Sequence, residues 1–150
     1  MDNNRALNLI SGPWDETSVR QFITSSIIPL RLATNGKTNP LVQSLWFLFA
    51  DDAIWCCTQH DAVVAKRLRK DPHCAFEISA DQPPYRGIRG SGRAELMAPA
   101  AAELLPKLLD RYSISHNSQL AAWLLSRVDQ EVAVRIDNLS ITSWDYSSRM

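Results

Sequence analysis

The stretch from Leu41 to Phe76 constrains the fold of this chain more than any other. Leu41 to Phe49 (LVQSLWFLF) is dense in Leu, Val, Trp and Phe, and Ile54 to Thr58 (IWCCT) resumes with Ile and Trp. Runs this short and this rich in large apolar residues fit a pleated, half-buried surface better than a helix. Ala50, Asp51 and Asp52 between them supply turn chemistry, so the two runs are predicted to form an antiparallel hairpin. A short basic helix is predicted next. Asp61 suits an N-cap, Ala62, Ala65 and Leu68 recur at helical spacing, and Lys66, Arg67, Arg69 and Lys70 lie on and around the other face. Asp71-Pro72 ends the helix, because the residue before proline is pushed out of the α region. A strand that delivers Thr58 and Gln59 to a helix N-terminus sets hydroxyl, amide and backbone N–H groups where a phosphate can sit.

Ahead of this stretch, residues before Pro13 carry few anchors and are expected to be loosely held, with Leu7, Leu9 and Ile10 available to pack on the domain. Asp15 and Glu16 followed by Val19, Phe22 and Ile23 mark an amphipathic helix that Ser25-Ser26 ends, with Trp14 placed as a hydrophobic staple. Ile27 to Thr34 reads as a strand with Leu30, Leu32 and Thr34 on one face and Arg31 and Ala33 on the other, leading into a turn at Asn35-Gly36-Lys37. An arginine in mid-strand needs a carboxylate, a phosphate or open water. His73 to Ala80 alternates as another strand, Asp81 to Pro84 breaks it, and the chain restarts from Tyr85 to Leu96. Gly87, Gly90 and Gly92 inside that strand predict a bulge, or a place where a ligand or a partner subunit comes close to the backbone. Ala100 to Tyr112 reads as a helix opened by Pro99 and kinked or broken at Pro106. A second helix follows over Ser118 to Arg127, with Leu120, Trp123, Leu124 and Val128 as its apolar stripe, and the two helices are expected to close over one side of the sheet. Glu131 to Tyr146 returns to a period of two.

The chain has 150 residues, the size of one domain that can bury a core without disulfides. Sixteen basic and sixteen acidic residues cancel, which leaves no electrostatic footprint for nucleic acid. Three cysteines, two of them adjacent at Cys56-Cys57 and so on opposite faces of a strand, argue against a disulfide framework and for a reducing cytoplasm. No signal pattern opens the chain and no apolar run is long enough to span a bilayer. His60, His73 and His116 have no metal-ligand spacing with the cysteines, so no metal is expected. There is no nucleophile elbow, P-loop or dinucleotide fingerprint either.

The ordered set PLRLATNG, PLVQSLWFLF, a hairpin, Thr58-Gln59 with Asp61, KRLRKDP and PPYRGIRGSGRAEL is similar to the flavin-binding split-barrel family typified by pyridoxamine 5'-phosphate oxidase. The similarity runs over Ile28 to Leu96 and more weakly through the C-terminal SWDYSSRM. It implies an α+β, mainly β fold: an antiparallel split β-barrel with flanking helices, one flavin-binding domain over residues 1–150, dimerising with a second copy so that FMN lies at the subunit interface. Carried over by position, the strand from Val42 to Phe47 runs along the ring, with Val42, Gln43, Ser44, Leu45 and Trp46 beside it largely through backbone groups. Thr58 and Gln59 become phosphate or ribityl contacts, and the Tyr85-Arg86 segment approaches from the other subunit.

The chain departs from the family's oxidases in places that matter for charge. Val42 and Phe47 stand where those enzymes carry an arginine and a lysine, and Ala62-Val63-Val64 stands where Ser-Arg-Lys opens the helix. Countercharge for a phosphate then falls to Lys66, Arg67, Arg31, Arg86 and the helix N-terminus. Trp144 and Arg149 are spaced differently from the residues with which the oxidase holds its substrate, so pyridoxamine phosphate is not the expected one. The implied activity is FMN-dependent redox chemistry on an unidentified small molecule, with no dedicated acid–base constellation. The alternatives are the same fold with deazaflavin F420 or haem, and a non-catalytic binding dimer with a degenerate site.

Overall fold

Alternating side chains sort the strands of this chain onto two surfaces, and the sheet curls until one of them becomes an interior. The structure, a computed structural model, describes residues 7–150; expectations for the first six residues lie outside it. In chain order the elements are β1 (Asn8–Ser11), α1 (Glu16–Ser25), β2 (Leu30–Thr34), β3 (Leu41–Leu45), β4 (Leu48–Ala50), β5 (Ala53–Gln59) and α2 (Val63–Lys70). They continue with β6 (His73–Ser79), β7 (Arg86–Met97), α3 (Ala101–Arg111), α4 (Gln119–Ser126) and β8 (Glu131–Asp145). The strands form one sheet in the order β3-β2-β6-β7-β8-β5-β4, every neighbouring pair antiparallel, with β1 added in parallel beside β8. The two ends, β3 and β4, are not paired with each other, so the barrel is split there.

The interior holds Leu30, Leu32, Ile54, Cys56, Phe76, Ile78, Ile88, Ile136 and Ile141, the alternate positions of their strands. Into the same cluster α1 buries Val19 and Ile23, and α2 buries Val64 and Leu68. Each such side chain contributes about 2 kcal/mol by leaving water. A second, smaller cluster lies on the outside of β5 and β8, where Leu104 and Leu108 of α3 cover Ala133, Trp55, Cys57, Leu48 and Trp46. Among the described residues, no helix residue lines the outer surface over β2, β6 and β7.

Several local expectations hold. Asp15 caps α1 by accepting from the Ser18 N–H at 2.8 Å, and Trp14 packs on Phe22 with ring centroids 5.0 Å apart. Asp51 and Asp52 both have positive φ, 55° and 56°, the two-residue turn that suits the twist of the β4–β5 hairpin. In β2, Leu30, Leu32 and Thr34 point inward while Arg31 is exposed.

Elsewhere tertiary contacts overrule the local pattern. The apolar run from Leu41 to Phe49 is two strands: it breaks at Trp46-Phe47, where the Phe47 ring is fully buried and its N–H is donated to the Tyr112 hydroxyl at 3.2 Å. The hairpin is therefore β4–β5, and β3 pairs with β2 instead. Asp61 does not cap α2; Ala62 N–H bonds the Gln59 carbonyl at 3.1 Å, this turn takes up Asp61, and the helix starts at Val63. Asn8–Ser11, expected to be loose, pairs with Ser140–Thr142 because the second half of β8 offers a free edge. The glycines of β7 face neighbours within the chain: a Cβ on Gly87 would meet Trp144 and the Ile78 carbonyl, one on Gly90 the Phe76 ring, and the expected bulge falls at Gly92. Pro106 leaves α3 continuous, since Leu104, Leu105, Leu108 and Leu109 bury on both sides of it. Of the stripe predicted for α4, Leu120 and Trp123 are exposed while Leu124 and Val128 are half-buried, and within the helix Ala121 is the buried residue.

Arg111, at the end of α3, ties that helix to the end of α1. Its guanidinium donates to the carbonyls of Thr24 at 2.8 Å, Ile23 at 3.0 Å and Ser26, the last groups of α1, and lies 4.9 Å from the centre of the Phe47 ring. Terminal helix carbonyls lack intrahelical partners, and positive charge complements that end of the dipole. Arg111→Leu is expected to lower the unfolding free energy by about 2–3 kcal/mol, read from urea denaturation. Arg111→Lys should recover less than half, because an ammonium cannot span three carbonyls; full recovery would show that charge alone matters.

Candidate functional site

The residues singled out on β3 divide by face. As the end strand of the sheet, β3 has one edge whose backbone groups meet no ladder partner. Val42 is 64% exposed and Ser44 is exposed, Gln43 is half-buried, and Leu45 packs on the interior cluster. Trp46 turns away to the second cluster and stacks on Tyr112, centroids 5.0 Å apart and planes 12° from parallel. What β3 presents outward is its backbone, with Val42 and Ser44.

At the other end of the candidate site, the period of two separates Thr58 from Gln59. Thr58, 7% exposed, lies on the interior face with Cys56, while Gln59 lies on the outer face with Cys57. α2 begins four residues after Gln59 with Ala62 at its cap and no side chain accepting from its first turn, so those N–H groups are available. Val64 is turned wholly into the core and Val63 is 55% exposed, so one valine, not two, stands at the helix mouth. Lys66 is exposed one turn later and makes no ion pair among the described residues. Arg67 and Arg69 are occupied elsewhere, donating to the carbonyls of Asn39 at 2.9 Å and His60 at 2.5 Å. The Arg67 bond ties α2 to the connection that leads into β3.

Tyr85 and Arg86 are both exposed, and Arg86 lines a hollow of about 270 Å³ with Trp14, Ser18, Gln21, Phe22 and Ser25. It sits at the start of β7, whereas α2 packs near Ala94, whose N–H bonds the Pro72 carbonyl at 2.8 Å. Eight residues of strand separate the two places by about 25 Å. Within one chain, Arg86 does not come to α2.

The bare outer face carries a feature that the sequence reading missed. Register places Arg31 opposite Glu77 and Glu77 opposite Arg89 in one row, and Val42, Ala33, Ala75, Ser91 and Ser140 in the next. Together with Ile10, Gly90 and Thr142 they line a groove of about 560 Å³ with a floor of small side chains and a charged rim. Glu77 accepts from the Ser79 hydroxyl at 3.2 Å and Arg31 donates to the Pro29 carbonyl at 3.1 Å, and no ion pair joins the row among the described residues. Each strand alone shows alternation; only their pairing shows the row.

Asp71 fixes the far end of α2 to the same frame. Its carboxylate accepts from the His73 N–H at 3.0 Å and the Asn35 side chain at 2.9 Å, and lies 2.8 Å from His73 Nδ1. The His73 backbone and ring, then Asn35, hold the carboxyl down at about 2. A carboxyl depressed by folding stabilises above its unfolded pKa of about 4 and loses that contribution as pH falls through about 2. Asp71→Asn is expected to be less stable than the wild type at neutral pH, with the gap closing between about pH 4 and pH 2 in denaturation series; a constant gap would assign the effect to something other than this carboxylate.

Among the described residues no cluster of three His, Cys, Asp or Glu side chains is placed to hold a metal, and no helix is long and apolar enough to cross a membrane. No family model matches the chain and no curated protein matches it in sequence. Solved structures do. Conserved hypothetical protein Rv2991 from Mycobacterium tuberculosis superposes with a TM-score of 0.75 at 25% identity, over 89% of this chain and 86% of that one. An F420 reductase superposes with a TM-score of 0.68 at 17% identity, over 81% and 94%. A protein assigned as a pyridoxamine 5'-phosphate oxidase from Listeria innocua superposes with a TM-score of 0.62 at 12% identity, over 83% and 95%. The curled antiparallel sheet, split between its first and last strands and plugged by helices, gives this chain the split-barrel fold of the pyridoxamine 5'-phosphate oxidase-like family.

Proposed function

We propose that the chain binds a flavin-type cofactor, FMN in the first instance, and uses it for redox chemistry on a small molecule. The observation that carries this reading is the junction of β3 and α2. The Arg67–Asn39 bond ties the second half of α2 to the connection leading into β3, the strand with the free edge, and the uncapped N-terminus of the same helix follows Thr58. The edge offers backbone donors and acceptors to a ring system, and the helix mouth offers N–H groups, Thr58 and the positive charge of Lys66 to a phosphate. Bound there, a flavin supplies the transfer of hydride or electrons, and the protein supplies position and polarity. Cys56 and Cys74 are buried, Cys57 is half-buried and all three are free thiols, which suits a reducing cytoplasm. Burial pushes the Cys57 thiol up to about 12 and the Cys74 thiol to about 11, which disfavours their thiolates. Purified protein is expected to be yellow, or to quench FMN fluorescence with micromolar affinity. Lys66→Glu should weaken binding by about ten-fold or more, the worth of one charge-assisted contact. Colourless protein indifferent to micromolar FMN would overturn the FMN reading.

The F420 reading draws on a separate observation. Phe47, just past β3, is sealed in the core and Val42 on β3 is apolar, so neither position carries the clamp with which the family's oxidases grip a compact phosphate. A longer anionic tail reaching Lys66 suits that arrangement. Parallel titrations with FMN, F420 and haemin decide between them by rank of affinity.

The groove over β2, β6 and β7 is where a second copy is proposed to pack. Its small-residue floor admits close approach, and about a two-fold axis the arginines of one copy meet Glu77 of the other. Such a dimer brings Arg86 of one chain toward a site it cannot reach in its own. Ala75→Arg is expected to give monomers in analytical ultracentrifugation and to lose FMN binding together with assembly. A dimer unaffected by that change would place the interface elsewhere.

A further inference from the structure

Arg86 lines a hollow in its own chain that the proposed cofactor site does not use. About 270 Å³ in volume, it is bounded by Ser18, Gln21, Phe22 and Ser25, which share one face of α1, by Trp14 just before that helix and by Arg86 at the start of β7. Register makes Asp145 the cross-strand neighbour of Arg86, so the two side chains stand on the same face and a salt bridge between them is the ordinary outcome. It does not form. One Asp145 oxygen accepts from the Trp14 indole N–H at 3.2 Å, and the other from the Ser147 N–H at 2.9 Å and from the Ser147 hydroxyl. Ser147, then Trp14 and Arg86, hold this carboxyl below its usual value. Arg86 itself is exposed and makes no hydrogen bond or close ion pair among the described residues. The Ser25 hydroxyl donates to the Gln21 carbonyl at 2.7 Å, while the Gln21 side-chain amide has no partner among the described residues.

Charge and shape limit what the hollow can hold. A planar guanidinium with its donors open matches a carboxylate, which it grips through two parallel bonds. Trp14 and Phe22, ring centroids 5.0 Å apart, offer apolar surface to the body that carries the carboxylate. Asp145, next to Arg86 in the sheet, makes a dianion such as phosphate the worse guest, since repulsion grows with each added negative charge. The volume falls below that of a pocket for a drug-sized ligand, so the guest is small. We propose that this hollow binds a small aryl carboxylate, its two oxygens accepting from the Arg86 guanidinium and its ring lying against Trp14 and Phe22. Every residue involved belongs to one chain, so the outcome depends neither on flavin binding nor on assembly.

The probe is benzoate, compared with benzamide, which has the same shape without the charge, and with inorganic phosphate at matched ionic strength. Titrated into the ¹⁵N-labelled full chain, benzoate is expected to shift the Trp14 indole N–H resonance saturably, with benzamide weaker by about ten-fold or more and phosphate without saturable effect. Arg86→Gln removes the charge from an exposed side chain that bonds nothing in the fold, and should erase the preference for benzoate over benzamide. Arg93→Gln, an exposed arginine further along β7, should leave that preference intact. No saturable shift at Trp14, equal affinities for benzoate and benzamide, saturable binding of phosphate as tight as benzoate, or a preference that survives Arg86→Gln or is lost with Arg93→Gln would each overturn the proposal.

Discussion

The structure depends on where one apolar run is broken. Trp46 and Phe47 lie inside what reads as a single strand, yet the Phe47 ring is driven into the barrel and its N–H finds the Tyr112 hydroxyl instead of a ladder partner. A buried N–H without a partner costs about 1–3 kcal/mol, so the break is tolerable only because α3 brings Tyr112 to that point. Trp46, stacked on the same tyrosine, is held on the opposite side of the sheet from Phe47. The split between β3 and β4 follows, and so does the free edge of β3 on which the candidate site is built.

The interior and exterior of the curled sheet do different work. Inside, aliphatic positions from all but the outermost strands converge with α1 and α2 into one cluster, and this supplies most of the stability. Outside, α3 covers only the β5–β8 side, and the remaining strands expose small residues between Arg31, Glu77 and Arg89. A sheet face without a helix and with a floor of small side chains is suited to contact with another surface. The proposed cofactor site lies at the boundary between these regions, where α2 is tied to the approach to β3 through Arg67 and to the β2–β3 connection through Asp71.

Much of the fold was legible residue by residue. The Asp15 cap, the Asp51-Asp52 turn, the end of α2 at Asp71-Pro72 and the inward face of β2 are set by interactions within a few positions, which a linear pattern records. The candidate site was legible in part. The order of Thr58, a turn and a helix was visible; that Thr58 and Gln59 face opposite ways follows from the period of two, but that Gln59 meets Glu131 does not. The two lie 72 positions apart in the chain and are joined only by strand register. The glycines of β7 were read correctly as points of close approach, while the approaching groups, Trp144 and Phe76, proved to belong to the same chain.

What the sequence determined by itself was the kind of each element and the face it would bury, because backbone propensity, capping and alternation act over one or two turns or a few residues of strand. The tertiary structure decided which strands became edges, which charges found carbonyls and which stood in water, and where the long apolar run stopped. Those outcomes turn on partners far away in sequence, Tyr112 for Phe47, β8 for Asn8–Ser11 and the end of α1 for Arg111, whose contacts outweigh local preference once the core has closed around them.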